Sequence, residues 1–184
     1  MRAGVRGAAA CVALSLLVVA GTACSRDSQP LDWNAVDAMI AGEFPDVPGV
    51  STAELAAELA ANPTGVVILD ARAADEFAVS HLPGARLVGA DADAAGRLAA
   101  AAPDARVVVY CSVGYRSAAL VDHLRERGHA NAVNLEGSIF RWAGEGRPLY
   151  RDGVRVEQVH PYDDRWGALL PRTLWAYAPA AAAP

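Results

Sequence analysis

The chain has 184 residues, enough for one ordinary domain with extensions. Its net charge of −5 argues against nucleic acid as a partner. Arginine supplies all of the basic side chains, so lysine-based catalysis is excluded.

The first 23 residues read as a signal peptide rather than part of the fold. Arg2 and Arg6 form a positive start, and Ala8 to Val19 is an apolar stretch too short to span a bilayer comfortably. Ala20-Gly21-Thr22-Ala23-Cys24-Ser25 resembles the lipobox of bacterial lipoproteins, with Gly21 where leucine is usual. The resemblance implies lipidation of Cys24 and a membrane anchor. An ordinary secretory signal or an uncleaved anchor are the alternatives. All three place the domain outside the cytoplasm, facing the periplasm or the cell exterior. Cys11 leaves with the signal, and Cys24 is the lipid candidate. Cys111 then remains without a disulfide partner. That count also makes a cysteine-based zinc site implausible, and no metal or other cofactor is expected.

Residues 24–49 are expected to form a tether and an N-terminal extension on the outside of the domain. Within it, Asp32 to Phe44 is weakly helical, with Val36, Met39 and Ile40 on one face. The main domain is placed at 50–149. Val50 opens a sheet, and Ser51 and Glu54 fit a capping box for the next helix. Val66 to Leu69 is a buried strand ending in Asp70-Ala71-Arg72. Asp75-Glu76-Phe77 forms a short helix, and His81 to Ala85 turns into a strand at Arg86 to Val88. Ala92 to Ala101 is helical. Val107 to Tyr110 is an apolar, β-branched run of the kind buried on both faces. Cys111 follows it at once, and a helix begins near Arg116. Leu120, Val121 and Leu124 mark the buried side of that helix, and Gly128 ends it. Asn131 to Leu135 and Gly137 to Ala143 give a last strand and helix. Alternating strands and helices predict an α/β domain with a mainly parallel sheet, flanked by helices on both faces.

From Gly144 the pattern weakens, with interruptions at Pro148, Gly153, Pro161 and Pro171. Trp166, Leu169, Leu170, Leu174 and Trp175 are too apolar for a disordered tail. Residues 150–184 are therefore expected to pack back onto the domain, fraying from Ala178. The four tryptophans read as packing residues.

Three motifs carry a family resemblance. Asp70-x-Arg72, Glu76-Phe77 and His81-Leu82-Pro83-Gly84-Ala85 form the first. Val107 to Ser117, a strand followed by C-x-x-G-x-R-S, is the second. Leu135-Glu136-Gly137-Ser138 with Trp142 is the third. In this order and spacing the chain resembles the rhodanese-like sulfurtransferase domain over about Val50 to Leu149, with Ser80 where glycine is common. The resemblance implies the rhodanese-like fold and transfer of sulfane sulfur through a persulfide on Cys111. It also implies that Asp70 and Arg72 lie near the site, as candidate substrate-binding residues. A structural ion pair bracing the loop is the stronger reading of those two. His81 reads as a turn-fixing residue, and Glu76 and Phe77 as structural.

Physical chemistry supports the same site. A cysteine at a strand end, where a loop and a helix N-terminus begin, sits in a cradle for negative charge. Ser112, Val113, Gly114, Tyr115 and Ser117 would line it, and Arg116 adds a cation. These features lower a thiol pKa, and each charge-assisted contact contributes about 1.5–3 kcal/mol. The C-x4-R spacing is one residue shorter than the C-x5-R of cysteine phosphatases. The tighter ring suits one sulfur atom better than a tetrahedral phosphate. The donor would be thiosulfate, a polysulfide or a persulfide. The acceptor would be cyanide or a thiol, including one on a partner protein. A non-catalytic binding module and a periplasmic thiol or persulfide sensor are the rival readings.

Overall fold

The computed structural model describes residues 31–180. The predicted signal segment and Cys24 lie outside them. Five strands form one sheet: β1 (Gly49–Val50), β2 (Val66–Asp70), β3 (Arg86–Leu87), β4 (Arg106–Tyr110) and β5 (Ala132–Leu135). Their order is β1-β5-β4-β2-β3, and every neighbouring pair is parallel. Parallel neighbours require crossovers, which α2 (Thr52–Ala61), α3 (Ala74–Val79), α4 (Ala92–Ala100) and α5 (Tyr115–Glu126) supply. Helix α1 (Trp33–Glu43) precedes the sheet, and α6 (Ser138–Gly144) follows it.

Alternation along the strands builds two cores. Ile68, Val108, Tyr110, Val133 and Leu135 face one side, where Val36, Leu55, Ile139 and Phe140 meet them. Leu69, Val107, Val109 and Ala132 face the other, against Ala95, Ala99, Leu120, Val121 and Leu124. Burial on both faces is why these strands carry unbroken apolar runs. The expected capping box forms: Ser51 Oγ accepts from Glu54 N at 3.2 Å, and Glu54 Oε2 accepts from Ser51 N at 2.9 Å.

The flanking segments join the first core. Val36 of α1 is wholly buried, and Ile40 packs against the same cluster. Met39 departs from the expected apolar face and is 39% exposed. After α6 the chain makes an antiparallel hairpin of β6 (Leu149–Arg151) and β7 (Val154–Val156). Tyr150 ties this hairpin to His81 by two backbone hydrogen bonds of 2.9 Å. The short α7 (Asp164–Gly167) follows. Trp166, Leu169, Leu170, Leu174 and Trp175, with Val156, pack on the main core. Among the described residues no helix is long and apolar enough to cross a membrane.

Candidate active site

β4 is the central strand of five, and Cys111 directly follows its last residue. Open parallel sheets bind ligands at the carboxyl ends of their strands, which is where this sulfur sits. The loop after it is fixed from two sides. Cys111 N donates to Ser138 Oγ at 3.1 Å. The first N–H groups of α6 reach the loop carbonyls, Ile139 N to Cys111 O at 3.2 Å and Phe140 N to Ser112 O at 3.1 Å. The free N-terminal donors of α6 thus clamp the loop that carries the thiol.

Gly114 makes the turn into α5. Its φ of +116° is a conformation that side chains rarely adopt, and a Cβ there would stand 3.2 Å from Ile40 Cδ1. This turn aims the Gly114 N–H at Cys111 Sγ, 3.1 Å away. The Ser117 backbone N–H lies near the same sulfur and favours its thiolate. Its hydroxyl also lies beside the sulfur, but its single proton goes to Asn134 Oδ1 at 2.7 Å. Burial works to raise the thiol pKa. The Arg116 charge and the contacts from Ser117 and Gly114 outweigh it and hold Cys111 below its ordinary 9.0.

Arg116 is not a free cation. Its Nη1 donates to Glu76 Oε2 and its Nη2 to Glu76 Oε1, both at 2.8 Å. Nη2 also reaches Ser112 Oγ at 2.9 Å. Glu76 accepts from Ser112 Oγ and from the Ala73 N–H as well, each at 2.9 Å. Burial would raise its pKa, but these donors and the two nearby arginines lower it to about 2. In the sequence Glu76 reads as a structural residue of a short helix. In the folded protein it holds Arg116 in place beside the thiol. Its position three residues into α3 was visible in the sequence, but its partner lies forty residues later.

Cys111 is 1% exposed, so its sulfur is reached through a cavity of about 310 Å³. Cys111, Ser112, Val113, Tyr115 and Arg116 line it, as expected. Gly114 and Ser117 do not line it; Gly114 meets the sulfur through its backbone N–H. Four further lining residues come from the flanks: Met39 and Glu43 of α1, Tyr162, and Trp166 of α7. Trp166, expected only to pack, also walls the site.

The structure corrects the placement of Asp70 and Arg72 among substrate-binding residues. Both are 0% exposed, and neither lines the cavity. Arg72 Nε and Nη2 donate to the Asp70 carboxylate at 2.9 Å and 2.7 Å, and Nη2 also donates to Ser80 O at 2.7 Å. The Tyr110 hydroxyl donates to Asp70 and accepts the Leu82 N–H. Register explains the set, because Asp70 on β2 pairs with Tyr110 on β4. Burial, with Asp70 beside it, pushes the Tyr110 phenol well above its ordinary 10.0. His81 also stands apart from the cavity. Its ring stacks on Phe77 at 4.3 Å, and Nδ1 donates to Leu82 O at 2.9 Å, bracing the turn.

Comparison with known proteins agrees with this architecture. The rhodanese-like domain model matches residues 51–145. The "Probable adenylyltransferase/sulfurtransferase MoeZ" of Mycobacterium tuberculosis is 32% identical over 84 residues, covering 45% of this chain and 21% of that protein. A sulfurtransferase of Allochromatium vinosum is 39% identical over 46 residues, covering 25% of this chain and 43% of its own. The chain thus spans less than half the length of either relative. A thiosulfate sulfurtransferase from Pseudomonas aeruginosa superposes with a TM-score of 0.55 at 30% identity, over 65% of this chain and 23% of that one. The matched span holds the parallel sheet from Ser51 through β5, together with Cys111, Arg116 and the α6 clamp. The chain belongs to the rhodanese-like domain family.

Proposed function

We propose that the protein is a sulfurtransferase that moves sulfane sulfur from a donor to a thiophilic acceptor through a persulfide on Cys111. The observation that carries this reading is the Cys111 sulfur at the floor of a cavity, with the Gly114 N–H at 3.1 Å and its pKa held down. The thiolate attacks the outer sulfur of the donor, and the donor's remaining fragment leaves with the bonding pair. The same N–H groups and the nearby Arg116 then stabilise the persulfide anion. An acceptor thiolate or cyanide attacks the terminal sulfur and returns Cys111 as thiolate. This is a two-step covalent cycle with ping-pong kinetics. Sulfurtransferase relatives support sulfur transfer at the level of the family.

Intact-mass spectrometry after exposure to inorganic polysulfide tests the reading. The expected result is a gain of one sulfur, lost on adding cyanide and absent in Cys111→Ser. No gain in the wild type overturns it. Repeated turnover with cyanide or a thiol separates an enzyme from a sensor that reacts once and from a module that only binds.

We further propose that the domain works outside the cytoplasm on a lipid anchor at Cys24. This rests on the sequence of the first 25 residues. Labelled fatty acid should enter the wild type in cells and not Cys24→Ala; equal labelling removes the anchor from the proposal.

A further inference from the structure

We infer that the Cys111 cavity selects an organic hydropersulfide with an apolar R, taken in its protonated, uncharged form R–S–SH, as sulfur donor, and that Tyr162 is a specificity-determining residue. This deepens the sulfurtransferase reading and rests on it.

The charges around the cavity point away from an inorganic dianion. Arg116 is the only cation among the described residues that line it. Both terminal nitrogens of Arg116 are committed to the Glu76 carboxylate. Glu43 adds a second carboxylate to the wall, and the thiolate itself is negative. Thiosulfate would enter with two negative charges and release sulfite, also a dianion, with no unpaired cation among the lining residues to receive either. Repulsion inside a partly closed site is weakly screened. Apart from the Ser112 hydroxyl, which is bonded to Glu76 and Arg116, the rest of the wall is largely apolar: Met39, Val113, Tyr115, Tyr162 and Trp166. A volume of about 310 Å³ suits a small apolar group.

Tyr162 is placed with care. Its φ is +68°, a conformation that bulky residues avoid. Such conformations persist where the surroundings over-determine them, and here they do. Tyr162 N donates to His160 Nδ1 at 3.1 Å. Val159, one residue earlier, is pinned by backbone bonds with Leu174 and Ala176. The outcome is a tyrosine ring 5.0 Å from the Arg116 guanidinium, forming a wall of the cavity. Tyr162, Trp166, Met39 and Glu43 all lie outside residues 51–145. The flanks of this chain therefore add Tyr162, Trp166, Met39 and Glu43 to the Val113 and Tyr115 that the shared domain supplies.

The chemistry balances without an oxidant or reductant. Cys111 Sγ donates a lone pair to the outer sulfur of R–S–SH, forming the new S–S bond. The old S–S bond breaks with its electron pair on R–S⁻. The proton of the transferred SH passes to that thiolate, so the products are the Cys111 persulfide anion and R–SH. The protonated fraction of the donor crosses the acidic rim uncharged and is the form whose outer sulfur is electrophilic, and its apolar group rests against the aromatic wall.

The test uses the full chain and a matched pair of donors, benzyl hydropersulfide and 4-carboxybenzyl hydropersulfide. Their leaving thiolates differ only by a remote carboxylate, which adds one negative charge. Inorganic polysulfide serves as the reference donor. Single-turnover loading of Cys111 is followed by intact mass. The benzyl donor should load about tenfold faster than its carboxylate analogue, an effect of one like charge in a poorly screened site. Tyr162→Gly, which suits the positive φ, should slow the benzyl donor and shrink the ratio. Glu43→Gln should shrink it by speeding the carboxylate donor. Equal loading of the pair, or a ratio unmoved in both variants, overturns the inference while polysulfide loading keeps the sulfurtransferase reading. If polysulfide and both organic donors leave Cys111 unmodified, that reading falls and takes this one with it.

Discussion

Two arginine–carboxylate pairs lie close together in this fold, and their surroundings set them apart. Asp70 and Arg72 are both 0% exposed; they bond each other, the Ser80 carbonyl and the Tyr110 hydroxyl, and of the pair Arg72 Nη1 alone is left without a partner among the described residues. Nothing of that pair reaches the cavity. Arg116 is 35% exposed in the side chain, against 3% for Glu76. The second pair keeps one member on the cavity wall, where its field acts on the thiol. Both belong to family motifs, and both are bidentate. Burial of both partners makes a brace; burial of one makes a positioned charge.

The largest expected effect comes from breaking the brace. Arg72→Leu leaves the Asp70 carboxylate buried without its partner, and the cost should be about 3–5 kcal/mol in urea unfolding. Cys111 reactivity per folded molecule should not change. A loss below about 1 kcal/mol would mean that the pair is not a brace.

Glu76→Gln tests the other pair. The folded pKa of about 2 lies below the ordinary 4.5. A depressed carboxylate stabilises the fold fully above the unfolded value and loses that contribution as pH falls toward the folded one. Allowing for screening through the half-open Arg116, the contribution at neutral pH is on the order of 2 kcal/mol. Wild-type stability should therefore fall between pH 4.5 and about 2, and Glu76→Gln should lack that portion of the fall. The variant also unpairs Arg116, so thiosulfate should gain on the benzyl donor. An unchanged acid limb would remove Glu76 from the account.

Arg116→Ala should cost less stability, about 1 kcal/mol, since Glu76 keeps its donors from Ala73 and Ser112. Its effect should appear at the sulfur. The thiol pKa rises toward its ordinary value, because the first attractive influence on the thiolate is gone. Thiolate absorbance against pH should shift upward, and loading at neutral pH should slow about tenfold. An unmoved titration would show that Arg116 serves Glu76 alone.

How far the sequence reveals this comparison differs from residue to residue. The β4 strand, the cysteine after it and the helix beyond follow from a β-branched run, a turn glycine and an apolar stripe closed by Gly128. The Ser51–Glu54 box is a local signal, and it formed as read. Glu76 was harder because its role depends on an arginine that only the parallel pairing of β2 and β4 brings near. The β6–β7 hairpin carries a local signal at its turn. Asp152-Gly153 adopts φ of +50° and +77°, the positive angles that Asp-Gly favours in a tight hairpin turn. Reading Gly153 only as an interruption hid the hairpin. Met39 sat at helical spacing with Val36 and Ile40, yet an exposed thioether over a cavity looks the same in sequence as a core one.

Tyr162 carries no sequence signal, and it offers the finest test of what separates brace from site. Its backbone is strained at φ +68° and the residue is 48% exposed. A residue kept for stability would be expected to bury its ring and relax its backbone. Replacing it with glycine removes the strain and the ring together. Strain relief and the added freedom of the unfolded chain act in opposite directions, so urea unfolding should move by less than about 1 kcal/mol. Donor discrimination at Cys111 should fall in the same variant. A stability loss above about 2 kcal/mol with discrimination intact would place Tyr162 with Asp70 and Arg72, as part of the brace. A small change in stability with lost discrimination places it with Arg116, where the geometry of the cavity and not the stability of the fold explains the strain.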